Sequence, residues 1–434
     1  GVLSAKEIVK LGKDRGYDTI ALTDINCMTS VYSFTLECLK NNVKPIVGIE
    51  FKEGAQINYI GLARNVQGFK ELNTFLSKHR LNKTPLPRIA PTFESAYVIY
   101  PFGHQPKNLK ENEFVGIRVN EVNKFLRTPI KRAIAYHPVT FDNREGWDLH
   151  KLLRCIDKNI LLSQLQARDC CQQNEHFASI DKLLKAYERA PQLIKNTAYL
   201  FRQCSFDFDF KTSKNKKTYT GSREGDRVFL SQLAMEGLEK RYGKNQKAKE
   251  RTLKELEIID KLGFAAYFLI TWDIIRYSKS RGFYHVGRGS GANSIIAYEI
   301  GITDVCPLEL DLFFERFLNP SRSSPPDFDI DWSWKDRDEI LKYVFNRYDK
   351  SKVAFCGTIG TFKHRSISQE LGKVFGISQE ERKLYSRTPF DQLENNSVAQ
   401  RIAQYAKRLN TKPNLRSMHS CGILISEEDI TSYM

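Results

Sequence analysis

The stretch from His285 to Trp332, HVGRGSGANSIIAYEIGITDVCPLELDLFFERFLNPSRSSPPDFDIDW, limits what this chain can fold into more than any other part of it. Its end, Asp327-Phe328-Asp329-Ile330-Asp331-Trp332, alternates acid with large apolar residue. In a strand, that period of two sets three carboxylates on one face and turns Phe328, Ile330 and Trp332 into a core. Acids that close repel one another and lose hydration, so a folded chain carries them most easily around cations. The pattern predicts a half-buried strand whose acids hold Mg²⁺.

The start of the stretch supplies a complementary half. Gly287-Arg288-Gly289-Ser290-Gly291-Ala292 leads into a helix-like segment at 294–299. Glycine lets an anion approach the backbone, and free NH groups at a helix start attract phosphate. Arg288 adds fixed charge, and Arg316 and Arg322 are candidates to clamp the same anion in bidentate fashion. Singly, each part has a plainer reading as a turn, an edge strand guarded by charge, or surface arginines. Together they point to phosphoryl or nucleotidyl transfer with two metal ions.

At 434 residues the chain exceeds one ordinary core, so two or three domains are expected. No apolar run approaches a membrane span, which predicts a soluble protein without a membrane partner. Lys plus Arg at 67 against Asp plus Glu at 51 gives a net charge of +16, which suits a polyanionic partner such as nucleic acid. The nine cysteines form no CxxC pair. That argues against a disulfide framework or a zinc site and fits a reducing cytoplasm. The chain opens directly on a helix-like segment, with Ser4 as cap and Glu7 three residues on and no signal peptide ahead. A piece truncated at both ends is expected.

Residues 1–205 read as alternating strand and helix. Strands are expected at 19–24, 45–50, 59–63, 96–100 and 133–135, with helices such as 33–40 and 67–78 between. Such repetition predicts a parallel α/β barrel or sheet with its working groups at the C-terminal strand ends, where Asp24 and Glu50 fall. This region resembles the polymerase and histidinol phosphatase (PHP) domain. The resemblance implies a barrel with a cluster of metal-binding histidines and acids. Where metal-competent members read Thr-Asp-His, this chain has Thr23-Asp24-Ile25, and His137-Pro138-Val139-Thr140 replaces a motif that carries two ligands. Asp24 and Glu50 are too few for a catalytic cluster. A structural module without nuclease or phosphatase activity is expected.

Beyond a polar, basic stretch at 211–217, helices are expected at 226–242, 247–262 and 267–281. Their packing positions read as 228, 233, 235 and 238, then 253, 256, 259 and 262. The segment from Gly263 through Phe314-Glu315-Arg316-Phe317-Leu318-Asn319-Pro320 to the Asp-x-Asp strand resembles the palm of the C family of bacterial replicative DNA polymerases, the family of the DNA polymerase III alpha subunit. The resemblance covers nearly the whole chain, because that family places a PHP domain just ahead. It implies a PHP-type barrel, a polymerase-beta-like α+β palm and a small helical thumb, here over 1–207, 208–365 and 366–412, with a returning palm segment at 413–434. By it, Asp327 and Asp329 are catalytic metal ligands and Gly289-Ser290 is the nucleotide-binding turn. Arg288, Arg316 and Arg322 face the triphosphate. Lys363 and Arg365, in Gly360-Thr361-Phe362-Lys363-His364-Arg365, stand near the incoming nucleotide. Asn293 departs from the family's glycine, with a modest change of turn geometry expected.

The resemblance implies template-directed extension of a primer by deoxynucleotides, with primer–template DNA, a sliding clamp and other replisome subunits as partners. The family's third aspartate and its fingers lie beyond this point, so this stretch by itself is expected to extend primers poorly. Two rivals are a metallohydrolase built on the barrel and a non-catalytic nucleic-acid clamp that uses only its basic surface.

Overall fold

The structure is a computed structural model, which describes residues 2–54, 56–319, 321, 327–389, 392 and 397–433. The chain forms two compact units, one of residues 1–209 and 357–419 and the other of 210–356 and 420–433. Among the described residues, no helix is long and apolar enough to cross a membrane.

The first unit carries one six-stranded sheet in sequential order, β1 (Thr19–Ile25), β2 (Lys44–Glu53), β3 (Gln56–Ala63), β4 (Ala96–Pro101), β5 (Glu113–Ile117) and β6 (Ala133–Ala135). Its strands are apolar runs because both faces are covered. Ile46, Ile60, Ile99 and Ile134 pack on one side, while Val47, Ile49, Phe51 and Tyr59 pack on the other with Phe69 and Leu72 of the helix Val66–Leu81. Full burial of one such side chain is worth about 1.5–3 kcal/mol.

A wholly parallel sheet is not what forms, because β3 runs antiparallel to both β2 and β4. Only positions 54 and 55 separate β2 from β3, and Gly54 has a φ of +59°. A connection that short joins antiparallel strands, since a parallel crossover takes a dozen residues or more. β1–β2, β4–β5 and β5–β6 are parallel as expected.

Residues 366–412, expected as a thumb, share a core with 141–171 of this unit. Ile367 and Leu371 of the helix His364–Val374 and Ile402 and Leu409 of the helix Ser397–Leu409 cluster with Trp147, Leu149 and Leu152 of the helix Arg144–Lys158. Arg408 pairs with Asp142 at 2.8 Å, and Lys412 with Glu7 at 2.7 Å.

The second unit is built on three helices, Arg223–Tyr242, Gln246–Leu262 and Ala265–Ser280. Three of the expected packing positions are not inward, for Val228, Met235 and Leu253 are exposed. Leu238 and Ile259 are buried and Leu233, Leu256 and Leu262 pack against the core as expected, and Asp226, Leu230, Ala234, Ala248, Thr252 and Glu255 are buried beside them. Tertiary needs outweigh the apolar count on these helices. Buried Asp273 accepts hydrogen bonds from Tyr219, Tyr343 and Tyr348 hydroxyls and from Arg276 and Arg347, tying the third helix to Arg337–Arg347. This unit also holds β7 (His285–Arg288) and β8 (Asp329–Trp332), which pair with each other. The chain passes from unit to unit within β9 (Val353–Thr361) and returns within β10 (Pro413–Ile425), and these two strands also pair.

Candidate active site

β7 and β8 pair antiparallel, with His285 opposite Trp332, Val286 opposite Asp331, Gly287 opposite Ile330 and Arg288 opposite Asp329. The alternation expected of Asp-x-Asp-x-Asp is what forms: Asp327, Asp329 and Asp331 are exposed, while Phe328, Ile330 and Trp332 pack against the core. Phe328 is fixed on both ends, since its backbone NH donates to the Tyr267 hydroxyl at 2.9 Å and its ring stacks on Tyr267 with centroids 5.3 Å apart. Trp332 Nε1 donates to Ser278 Oγ at 2.8 Å. Anchoring both apolar residues sets the direction of the acids between and beside them.

The glycine turn closes over this strand. Gly287 lies against backbone, where a Cβ would come 2.1 Å from the Ile302 carbonyl oxygen, and Thr303 Oγ1 donates to the Gly287 carbonyl at 2.9 Å. Gly289 has a φ of +70°, and a Cβ there would stand 2.5 Å from Asp329 Oδ2. A Cβ on Gly291 would stand 2.6 Å from the Phe328 ring. Gly289 and Gly291 thus allow the close approach of turn to acid strand, while Gly287 allows that of β7 to the Ile302 backbone.

Arg288 does not stand free. Its Nε donates to Asp331 Oδ2 at 2.6 Å, and its Nη1 lies 3.8 Å from Asp329 Oδ2. The hydrogen bond to Asp331 pushes the guanidinium's pKa further up.

The helix start behind the turn is not available to phosphate as expected. The short helix Ile295–Glu299 has its first NH groups taken from within. Buried Glu255 accepts from the Ile295 NH at 2.9 Å, the Ile296 NH at 3.4 Å and the Ser294 hydroxyl at 2.8 Å. Ser294 Oγ accepts from the Ala297 NH at 3.2 Å, and Arg251 completes the cluster by pairing with Glu255 at 2.9 Å. An internal carboxylate therefore meets the positive end of the helix dipole. An anion at this turn would meet Gly289 and Ser290, not the helix. Asn293 is buried, and its Nδ2 donates to the Ser290 carbonyl at 2.8 Å, which pins the turn from beneath.

Arg316 is exposed on a one-turn helix and makes no ion pair with Asp327 or Asp329 among the described residues. Arg322 lies outside the described residues, as do Pro325 and Pro326. Lys363 and Arg365 are exposed at the start of the helix His364–Val374 and belong to the first unit. Sequence reasoning counted Asp331 only among the three acids of the strand face and gave no role to Glu255 or Arg251. A signal for Glu255 existed: it lies at helical spacing from Ala248, Thr252 and Ile259, all buried.

At the strand ends of the first unit, Ile25 is 52% exposed where the metal-competent motif has histidine. Burial pushes the Glu50 carboxyl up to about 7, with Lys52 opposing and Glu175 adding to the rise. Arg118 Nη1 pairs with Glu175 Oε1 at 2.8 Å, and Thr140 Oγ1 donates to Glu175 Oε2 at 3.0 Å. The His137 Nε2 donates to the His176 carbonyl at 3.0 Å. Among the described residues no three His, Cys, Asp or Glu side chains converge as metal ligands. A guanidinium stands beside these acids, and the histidine nitrogen is turned to a carbonyl.

A family model described as "PHP domain" matches residues 1–100, and one described as "Bacterial DNA polymerase III alpha NTPase domain" matches residues 228–434. The chain belongs to the bacterial DNA polymerase III alpha family. It is 30% identical to the DNA polymerase III subunit alpha of Borreliella burgdorferi, over 100% of this chain and 44% of that protein. To the Streptococcus pyogenes serotype M6 subunit it is 28% identical over 97% of this chain and 42% of the relative. For Haemophilus influenzae the identity is 30%, over 86% and 37%. The chain thus spans less than half the length of these polymerase III alpha relatives.

Proposed function

We propose that this chain is the PHP and palm portion of a DNA-directed DNA polymerase, which transfers nucleotides from a deoxynucleoside triphosphate to a primer 3′-hydroxyl on template DNA. The observation that carries the reading is the approach of Gly289 to Asp329, which puts an anion-accepting turn beside exposed carboxylates. The donor set fits Mg²⁺, because hard carboxylate oxygens exposed on one strand face suit that ion. Asp327 and Asp329 would hold it. When bound, the metal lowers the pKa of the attacking hydroxyl and neutralises charge on the phosphates.

The chain's own residues do the positioning. Gly289 and Ser290 hold the triphosphate, and Arg288, Arg316 and Arg322 neutralise it. Base selection comes from template pairing, so no residue here needs to read a base. The barrel acts as a structural module in the cytoplasm, with a sliding clamp and other replisome subunits as partners of the complete polymerase.

Equilibrium binding of a fluorescent deoxynucleoside triphosphate to the 434-residue chain tests this. Binding should require a divalent cation and should disappear in Asp327→Asn and Asp329→Asn. Binding that is indifferent to the cation and to both variants would overturn the reading. Hydrolysis of phosphate esters that survives Asp327→Asn would instead favour the metallohydrolase.

A further inference from the structure

β8 carries a third carboxylate that the proposed function leaves unused. The register sets Arg288 directly opposite Asp329 and puts Asp331 on the diagonal. Cross-strand diagonals are the longer of the two separations. Arg288 nevertheless takes the diagonal acid, with 2.6 Å from Nε to Asp331 Oδ2 against 3.8 Å from Nη1 to Asp329 Oδ2. Asp331 is therefore drawing the guanidinium along the ribbon, away from its nearest carboxylate. Without that pull, the one cationic side chain paired to Asp329 among the described residues would settle on it.

We infer that Asp331 is a positioning residue that holds the Arg288 guanidinium off Asp329. It keeps that carboxylate open to a divalent cation while the guanidinium stays beside the turn that takes phosphate. The inference rests on the reading of Asp327 and Asp329 as metal ligands. It assigns Asp331 no contact with the metal.

The test is a double-mutant cycle on the 434-residue chain, with Mn²⁺ as the probe and its dissociation constant read from the electron paramagnetic resonance of free Mn²⁺. Asp331 is 57% exposed, so Asp331→Asn opens no buried hole. Asp331→Asn should weaken Mn²⁺ binding about threefold to fivefold, the scale of one exposed ion pair, because Arg288 then turns to Asp329. Arg288→Ala should bind Mn²⁺ at least as tightly as the parent. The double variant should match Arg288→Ala within about twofold, since the loss in Asp331→Asn acts through the arginine. Asp331→Glu, which keeps the charge, should restore the parent value.

Equal loss from Asp331→Asn with and without Arg288 would overturn the inference, because Asp331 would then act by its own charge. So would unchanged affinity in Asp331→Asn, or a loss as complete as that of Asp329→Asn, which would make Asp331 a ligand. Failure of the underlying reading looks different: Asp327→Asn and Asp329→Asn would both leave Mn²⁺ affinity at the parent value.

Discussion

Gly289 and Asp329 stand so close that a Cβ on the glycine would lie 2.5 Å from Asp329 Oδ2. The contact joins the two halves of the site through space, and glycine is required there twice over, by the clash and by a φ of +70°. Gly289→Ala should cost about 1–2 kcal/mol of stability from the left-handed backbone alone. By displacing Asp329 it should also weaken Mn²⁺ binding by about tenfold or more. Denaturant unfolding and Mn²⁺ titration of the same variant separate the two effects. Parent-like metal affinity in a folded Gly289→Ala protein would show that turn and acid serve different sites.

Glu255 stabilises the turn from behind by capping the buried helix Ile295–Glu299 while it pairs with Arg251. A carboxylate with three protein donors and a guanidinium is satisfied where it sits, and its removal leaves two helix NH groups without that acceptor and Arg251 with the Asn293 carbonyl alone among the described residues. Glu255→Ala should therefore destabilise the chain by about 3–5 kcal/mol, and Glu255→Gln by less because the amide oxygen still accepts. Urea unfolding reads both. A loss below about 0.5 kcal/mol in Glu255→Ala, the range of surface substitutions, would mean the cap is ornamental.

Much of this was legible in the sequence for a physical reason. The period of two in Asp327 to Trp332 dictates which residues face solvent, and the β1 and β2 runs are apolar enough to demand two covered faces. The partners of charged groups were not legible. Glu255 lies forty residues before the helix it caps, and Arg288 reads equally well as a ligand for phosphate or for Asp331 until the strand register is known. β5, Glu113–Ile117, escaped because five residues headed by a glutamate carry too little pattern. Arg118 and Glu175 escaped because nothing in either local sequence announces a cross-fold ion pair.

Glu299 should make the second unit sensitive to alkali. Burial pushes its carboxyl up to about 8, with the Thr252 hydrogen bond opposing and Glu255 adding to the rise, and its Oε2 has no partner. A folded pKa above the ordinary 4.5 means that the folded state holds the proton more tightly. The resulting stability is fully present below 4.5 and is lost as pH rises through about 8. Between pH 5 and 8.5 the parent should lose about 3–4 kcal/mol more than Glu299→Gln, whose neutral side chain has no proton to lose. Comparing the two is necessary because Glu50 is also pushed up, to about 7. Parallel stability curves for parent and variant would remove Glu299 from the account.

Arg118 should do for the first unit what a metal does in a PHP cluster, which is to hold together acids that would otherwise repel. Its guanidinium is largely buried, pairs with Glu175 at 2.8 Å and lies over the Tyr136 ring at 5.3 Å, while Glu50 is close enough for its charge to be felt by Glu175. Removing the cation leaves Glu175 buried with Thr140 as its one side-chain donor among the described residues. Arg118→Met, which keeps the bulk, should therefore destabilise the unit by about 3–5 kcal/mol, the cost of breaking a buried pair from one side. Much of that should return in Arg118→Met/Glu175→Gln, where both charges are gone. Zn²⁺ or Mn²⁺ should not rescue the single variant, because His137 Nε2 is committed to the His176 carbonyl and Thr140 stands where the family motif carries a ligand. Thermal unfolding with and without each metal reads all three outcomes. A metal-dependent rise in the melting temperature of Arg118→Met would show that the ligand cluster persists beneath the arginine.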